Sequence, residues 1–214
     1  MALVYAMLGL IDQLDQRGLT MLGKTELLDA IAGKNRGVLA TTADQQAIQA
    51  AIARLEERNP TPEPLAAPDL LQGNWRLLYT TSQDLLRFEQ IPLCRLGQIY
   101  QYILPDQQRI YNIAELYGLP LLSAVVSVAA VFQPVSKQRV QVQFDRSVVG
   151  FSGLLGYRSP EEFIQTLQSG KRLAALDVAI DTSNRDAWLD VTYLDGDLRI
   201  GRGNGGSLFV LTRV

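Results

Sequence analysis

The stretch Leu71-Gln-Gly-Asn-Trp-Arg-Leu-Leu-Tyr79 sets the architecture. A glycine, one residue, then Trp75 opens a run of β-formers from Asn74 to Thr81, the pattern of a first strand. Working outward toward the C-terminus, strand signals dominate. Gly97–Leu104 is ended by Pro105-Asp106, Arg109–Tyr117 follows, and Val125–Gln133 is ended by Pro134. Val140, Val142 and Phe144 alternate with Arg139, Gln141, Gln143 and Asp145, as in a half-buried strand. Ser159-Pro-Glu-Glu opens a short helix through Gln168, with serine as cap, proline at the first helical position and acids in the first turn. Asp177–Asp181, Trp188–Leu194, Asp197–Arg202 and Ser207–Arg213 complete the strands. Asp195-Gly196 and Asn204-Gly205 predict two-residue hairpin turns. About eight or nine strands in meander order predict a mainly-β fold, an up-and-down β-barrel with an apolar interior.

Working outward toward the N-terminus, residues 1–58 read as helical. Leu3, Met7, Leu10, Ile11 and Leu14 recur at helical spacing. Lys24 or Thr25 precedes Leu27, Leu28 and Ile31, and Gly33 supplies a stop. A second helix is expected from Thr42 to Arg58, with Ala47, Ile48, Ala51, Ile52 and Leu55 as its apolar stripe and Asp44 in its first turn. Four prolines, Pro60, Pro62, Pro64 and Pro68, then forbid helix and favour an extended crossing. The expected organisation is an N-terminal helical segment over 1–58 and a barrel domain over 69–214.

Composition narrows the function. Across 214 residues, 47 % are hydrophobic and the formal net charge is −2, which suits a well-buried core and does not mark a nucleic-acid binder. The chain has no histidine, which removes His-based zinc sites, Ser-His-Asp triads and the commonest general acid/base. Cys94 is the only cysteine, so no intrachain disulfide forms and a reducing compartment fits. The longest apolar run, Leu119–Phe132, is broken by Pro120, Ser123 and Ser127 and falls short of the ~20 residues a helical membrane span needs. Met1–Gly18 carries Asp12 and Asp15 and lacks a basic start, a poor signal or transit peptide.

Candidate residues follow from strand periodicity. Trp75 is either a ligand contact or a plug at the closed end of a barrel, held by an arginine on its face. Arg199, Arg202 and Arg213 lie on the closing strands and are the stacking candidates. Tyr79, Tyr100, Tyr102, Tyr111, Tyr117 and Tyr193 fall in strands, and alternation sends about half of them inward. There they orient a ligand's polar end, or they serve as ordinary packing or a lipid-facing rim. Phe132, Phe144 and Phe151 are further candidates for the cavity or its mouth. Leu116–Leu122 and Val148–Gly156 are apolar where loops are normally polar, which suggests a lid, a partner contact or a membrane-surface anchor, or loops folded over the mouth. Asp190, Asp195 and Asp197 could do acid/base work or bind a hard cation, with Asp190 and Glu115 the possible carboxylate pair. Turn chemistry explains Asp195 and Asp197 better. Gly201-Arg-Gly-Asn-Gly-Gly206 has the form G-x-G-x-x-G, but β-formers follow it where a nucleotide fold needs a helix, so it reads as a hairpin. Cys94 beside Arg95 reads as a packed residue or as a thioether site for a tetrapyrrole.

Three segments resemble the plastid lipid-associated protein (fibrillin) family. They are Lys24–Gly37 (KTELLDAIAGKNRG), Leu71–Thr81 (LQGNWRLLYTT) and Leu189–Arg213 (LDVTYLDGDLRIGRGNGGSLFVLTR). Matching positions include Gly73, Trp75, Asp190, Asp195 and Asp197, with Arg199, Arg202 and Arg213 in the same C-terminal signature. The resemblance implies a lipocalin-like barrel with N-terminal helices and one short helix before the last strands. It implies a protein of thylakoids or plastoglobules that binds lipids, quinones or carotenoids, or organises their stores, in membrane upkeep and photoprotection. No covalent cofactor and no reaction are implied. Without a transit peptide the expected source is a cyanobacterium, at the cytoplasmic face of the thylakoid membrane. Three functions are expected in order: non-enzymatic binding of an apolar small molecule, with peripheral contact to a thylakoid membrane or lipid particles; a structural lipid-particle protein with a filled barrel; and a chromophore lyase or isomerase. No oligomeric state is specified.

Overall fold

The computed structural model describes residues 18, 20–86, 95–118, 123–181 and 187–214. Nine strands form one antiparallel sheet: β1 (Gly73–Thr80), β2 (Arg95–Leu104), β3 (Arg109–Tyr117), β4 (Ser123–Pro134), β5 (Arg139–Phe151), β6 (Leu176–Ala179), β7 (Ala187–Leu194), β8 (Leu198–Gly203) and β9 (Leu208–Arg213). The order is β4-β3-β2-β1-β9-β8-β7-β5-β6, and β4 also pairs with β5. Eight strands in meander order therefore close into a ring, and β6 lies outside it. Closure removes the free edges an open sheet would expose. β5 serves both arrangements: Arg139–Val142 pair with β7, and Arg146–Val149 pair with β6.

Buried apolar residues from seven of the ring strands form one cluster that includes Trp75, Leu77, Ile103, Ile110, Phe132, Val140, Val191 and Leu211. Only the inside of the ring brings these strands together. Leu71 joins the cluster, and Leu65 and Leu70 pack against it, so the segment before β1 stoppers one end. Two further layers cover the outside. Helix α1 (residues 20–31) and α2 (Thr42–Glu56) bury Leu27, Ile31, Ile48, Ile52 and Leu55 against Tyr193, Leu198, Ile200 and Val210. After the one-turn helices α3 (Pro68–Leu71), α4 (Gln83–Leu86) and α5 (Ser152–Leu155), α6 (Pro160–Gln168) buries Phe163, Ile164 and Leu167 against Tyr111, Ile113, Val125 and Val148. Full burial of each such side chain is worth ~1.5–3 kcal/mol before ordering costs.

Local signals account for the helix ends. Thr41 and Asp44 form a reciprocal capping box at α2, and the Ser159 hydroxyl accepts from the Glu162 amide at α6. Other details depart from the sequence reading. Lys24 and Thr25 lie inside α1 rather than at its start. Val148–Phe151, expected as loop, extends β5, because Val148 finds burial beneath α6. The β7–β8 turn centres on Gly196 and Asp197, closed by the Asp195 N–H donating to the Leu198 carbonyl at 3.0 Å, and Gly196 is not left-handed. The β8–β9 connection runs over 204–207 rather than two residues, with a tight turn at Asn204–Gly206 in which Gly205 and Gly206 both take positive φ (66° and 75°). The helical reading of residues 1–17 lies outside the described residues.

Candidate functional site

Alternation around the ring turns three polar side chains inward near the stoppered end. Arg199 on β8 is 2 % exposed, and its Nη2 donates to Gln101 Oε1 on β2. Gln101 in turn donates through Nε2 to Asn112 Oδ1 on β3 at 2.8 Å. Trp75 is fully buried beneath them, with its indole N–H donating to the Leu71 carbonyl at 2.9 Å. The Arg199 guanidinium carbon lies 5.1 Å from the indole centroid and that of Arg213 lies 4.4 Å away. The cation–π attraction offsets part of the cost of burying a cation. Burial, together with the Arg213 charge, pushes the Arg199 pKa down to about 9, so the side chain remains charged at neutral pH. Its Nε is buried without a partner.

Arg213 secures the stopper. It donates to the carbonyls of Leu70, Gln72 (2.6 Å) and Gly196 (2.7 Å). Gly73 takes φ +116°, and a Cβ there would stand 3.1 Å from Arg213 Nη1, which explains the glycine before Asn74 and Trp75. Of the three arginines singled out, Arg199 and Arg213 stack on Trp75. Arg202 instead holds Glu56 of α2 in a two-pronged pair at 2.8 and 2.7 Å.

The other end of the ring is built differently. Inward positions there include the small residues Ala114, Gly201 and Gly203 and the partly buried Ala124, Val126, Ala187, Leu189 and Phe209, beside the buried Leu96, Ile99 and Leu116. Beyond β7, the inner face continues along β4, β5 and β6. Val126 pairs with Val149, which pairs with Leu176; Ala124 pairs with Phe151; Ser147 pairs with Val178. Paired residues share a face, so Val149, Phe151, Leu176 and Val178 extend the interior surface onto an open rim. Phe151 is 51 % exposed, Leu176 64 % and neighbouring Leu154 on α5 67 %. Glycine at 150 lets Leu155 and Ala175 close on the back of this rim at 3.1 Å from a would-be Cβ.

The tyrosines do not enter the ring. Tyr79 and Tyr193 lie beneath α1 and α2; Tyr100, Tyr102 and Tyr111 pack on the α6 side; Tyr117 is 48 % exposed. β-Bulges cause most of this. Register shifts between Leu77 and Tyr79, Leu96 and Ile99, and Val191 and Tyr193 each reverse the alternation. On the outer face the phenols find carboxylates. Tyr117 and Tyr157 donate to Glu115 at 2.8 and 3.0 Å, and Tyr193 donates to Asp195 at 2.6 Å. The bond to Glu115 pushes the Tyr117 pKa up to about 12, and burial with the same carboxylate raises Tyr157 further. Phe132 and Phe144 do belong to the interior cluster or pack on it.

The acids do not assemble into a catalytic pair. Asp190 makes a two-pronged bond to Arg139 (2.6 and 2.7 Å), and Arg139 also stacks over Trp188 at 4.1 Å. Glu115 lies on β3, which does not pair with β7. Asp195 accepts from the Asp197 and Leu198 amides at 3.0 and 2.8 Å, which is turn chemistry, and with Asp197 it also takes Lys24 of α1. Cys94 and Leu119–Leu122 lie outside the described residues. The sequence reading missed Gln101 and Asn112, whose signal was a polar residue at an inward position between β-formers. It also missed Val149, Leu176 and Val178, whose exposure depends on β6 leaving the ring.

Fold and site together define a class: a closed antiparallel ring with helices outside, an apolar interior over an arginine floor, and one exposed apolar rim. The PAP_fibrillin family model matches residues 21–212, and the chain belongs to that family. It is 32 % identical to probable plastid-lipid-associated protein 2 of Arabidopsis thaliana, over 89 % of this chain and 70 % of that protein. It is 35 % identical to plastoglobulin-1 of Pisum sativum (89 % and 60 %) and 31 % identical to the chromoplast-specific carotenoid-associated protein of Cucumis sativus (89 % and 67 %). The chain thus spans about two thirds of the length of such relatives, with shares from 60 % to 70 %. Their names place these relatives in chloroplasts or chromoplasts, and two of the names describe association with plastid lipid or with carotenoid. No solved structure matches. Among the described residues no helix is long and apolar enough to cross a membrane.

Proposed function

We propose that this protein shelters an apolar small molecule, a lipid, quinone or carotenoid, within the ring, and exchanges it at the surface of a photosynthetic membrane or lipid particle. The observation that carries this is the continuity of the apolar interior with the exposed rim of Val149, Phe151, Leu154, Leu176 and Val178. Burying even half of five such side chains in a lipid phase supplies several kcal/mol, of order 1 kcal/mol each, enough for reversible peripheral attachment. The lipid- and carotenoid-associated names of the relatives support the same reading.

The test has two arms. Organic extraction of the purified protein followed by mass spectrometry should release a stoichiometric apolar molecule. Flotation with vesicles of phosphatidylcholine and galactolipid should carry the protein upward, and Phe151→Asp with Leu154→Asp should abolish flotation without altering the far-UV circular dichroism. A second reading rests on the interior cluster itself, whose side chains touch across the ring. In that case the protein coats lipid without a guest, and flotation persists while extraction yields nothing. Failure of both arms rejects both readings.

A further inference from the structure

Among the described residues, the interior holds a cation and no carboxylate to match it. Among the described residues Arg199 hydrogen-bonds only Gln101, its Nε is buried without a partner, and its nearest charged neighbour on Trp75 is a second arginine. Every acid with a resolved partner near this level points outward: Asp190 to Arg139, Asp195 to Lys24, Glu56 to Arg202. The relay also has a direction. Arg199 donates to the Gln101 side-chain oxygen and Gln101 donates to the Asn112 side-chain oxygen, so each acceptor already holds one donor. Donor capacity is left over: the unused N–H groups of Arg199 and the Asn112 amide nitrogen, which donates to no described residue. Burying a cation without a counter-charge is costly even over an aromatic face, and an anion meeting it would offset that cost. Above the floor the inward residues include the small Ala114, Gly201 and Gly203 beside the larger Leu77 and Ile99, and the apolar surface runs outward to the rim.

We infer that the guest is a single-chain lipid bearing a carboxylate, seated head-down with its carboxylate on Arg199 and Asn112 and its hydrocarbon chain running toward Leu189, Phe209 and the Phe151 rim. The inference rests on the proposed sheltering function and gives it a ligand class and a polarity. Guanidinium–carboxylate bonds are charge-assisted and roughly twice as strong as neutral ones, so the head group governs selectivity. A neutral quinone or a carotenoid would leave the cation unmatched.

The experiment uses the full chain, stripped of lipid, in calorimetric titrations with oleate, methyl oleate and oleyl alcohol below their aggregation concentrations. Oleate should bind about tenfold or more tightly than either neutral analogue, the difference expected of one charge-assisted contact. Arg199→Gln should bring oleate close to the affinity of methyl oleate, with a smaller loss for methyl oleate itself, and Arg199→Lys should recover part of the preference. Equal affinity for all three probes in the native protein overturns the carboxylate assignment and leaves the sheltering function standing. Binding of none of them overturns both. If Arg199→Gln does not fold, the three-probe series on the native chain decides by itself, and Asn112→Leu supplies a second reading of the floor, with the same selective loss of oleate expected.

Discussion

Tyr193 donates to Asp195 Oδ2 at 2.6 Å, and Lys24 reaches the same oxygen at 2.9 Å. Burial alone would raise the Asp195 carboxyl, yet the hydrogen bonds from Asp197, Tyr193 and Lys24 hold it well below its ordinary 3.8. A depressed carboxyl contributes stability that is present above its unfolded pKa and lost as pH falls through the folded one. Asp195→Asn should therefore flatten the decline in stability below about pH 4, read from urea midpoints across pH 2–6. Burial and the same carboxylate raise Tyr193, and burial raises Tyr157. These phenols hold their protons in the fold, so their contribution is complete below pH 10 and is lost as pH rises. A titration followed at 295 nm should show them ionising only together with unfolding. Trp75, fully buried between two arginines and the Leu71 carbonyl, should lose ~3–5 kcal/mol on change to alanine, measured by urea denaturation. The sequence reading weighed Trp75 as a ligand contact or as a plug with an arginine on its face, and put aspartates 195 and 197 in a turn, because these depend on neighbours in the same motif. It could not place the tyrosines, because a single bulged residue reverses every side chain beyond it.

Helix α2 was legible from its apolar stripe at Ile48, Ala51, Ile52 and Leu55, all buried as that spacing requires. The box that starts it joins Thr41 and Asp44, of which only the acid was noticed. Lys34 and the Thr41 amide and hydroxyl hold Asp44 down at about 2. Thr41→Ala should cost ~1 kcal/mol of stability, measured by chemical denaturation, the usual value of an N-cap. Strand β5 shows the opposite case. Its first half alternates cleanly and was read as half-buried, whereas Val148–Phe151, rich in Val and Gly, looked like a mobile loop. Its strand character depends on the far end of the preceding strand β4 on one side and on β6, beyond α5 and α6, on the other. The division of the chain at 1–58 and 69–214 remains a proposal about organisation. Ile52→Asp, which places a charge between α2 and the ring, is expected to expose the outer face of β8 and β9, with dye binding and a lowered melting temperature as the readout.

At the scale of the molecule, ring closure makes stability a shared property of the first and last strands. β1 pairs with both β2 and β9, with Trp75 opposite Arg213, so removal of β9 opens the ring and unstoppers the floor together. A chain ending at Ser207 is expected to lose near-UV dichroism from Trp75 and to unfold without a cooperative transition. The eight or nine strands, their meander order, the presence of helices and the family signature were legible in the sequence itself, because turns, periodicity and capping are local chemistry that acts over a few residues. Which face each tyrosine takes, the meeting of Arg199 with Gln101 and Asn112, and the emergence of β6 as an exposed rim were decided only by the tertiary structure. Those outcomes depend on bulges and on pairings between distant segments, where the gain from burying one face of a closed sheet overrides the simple alternation of any single strand.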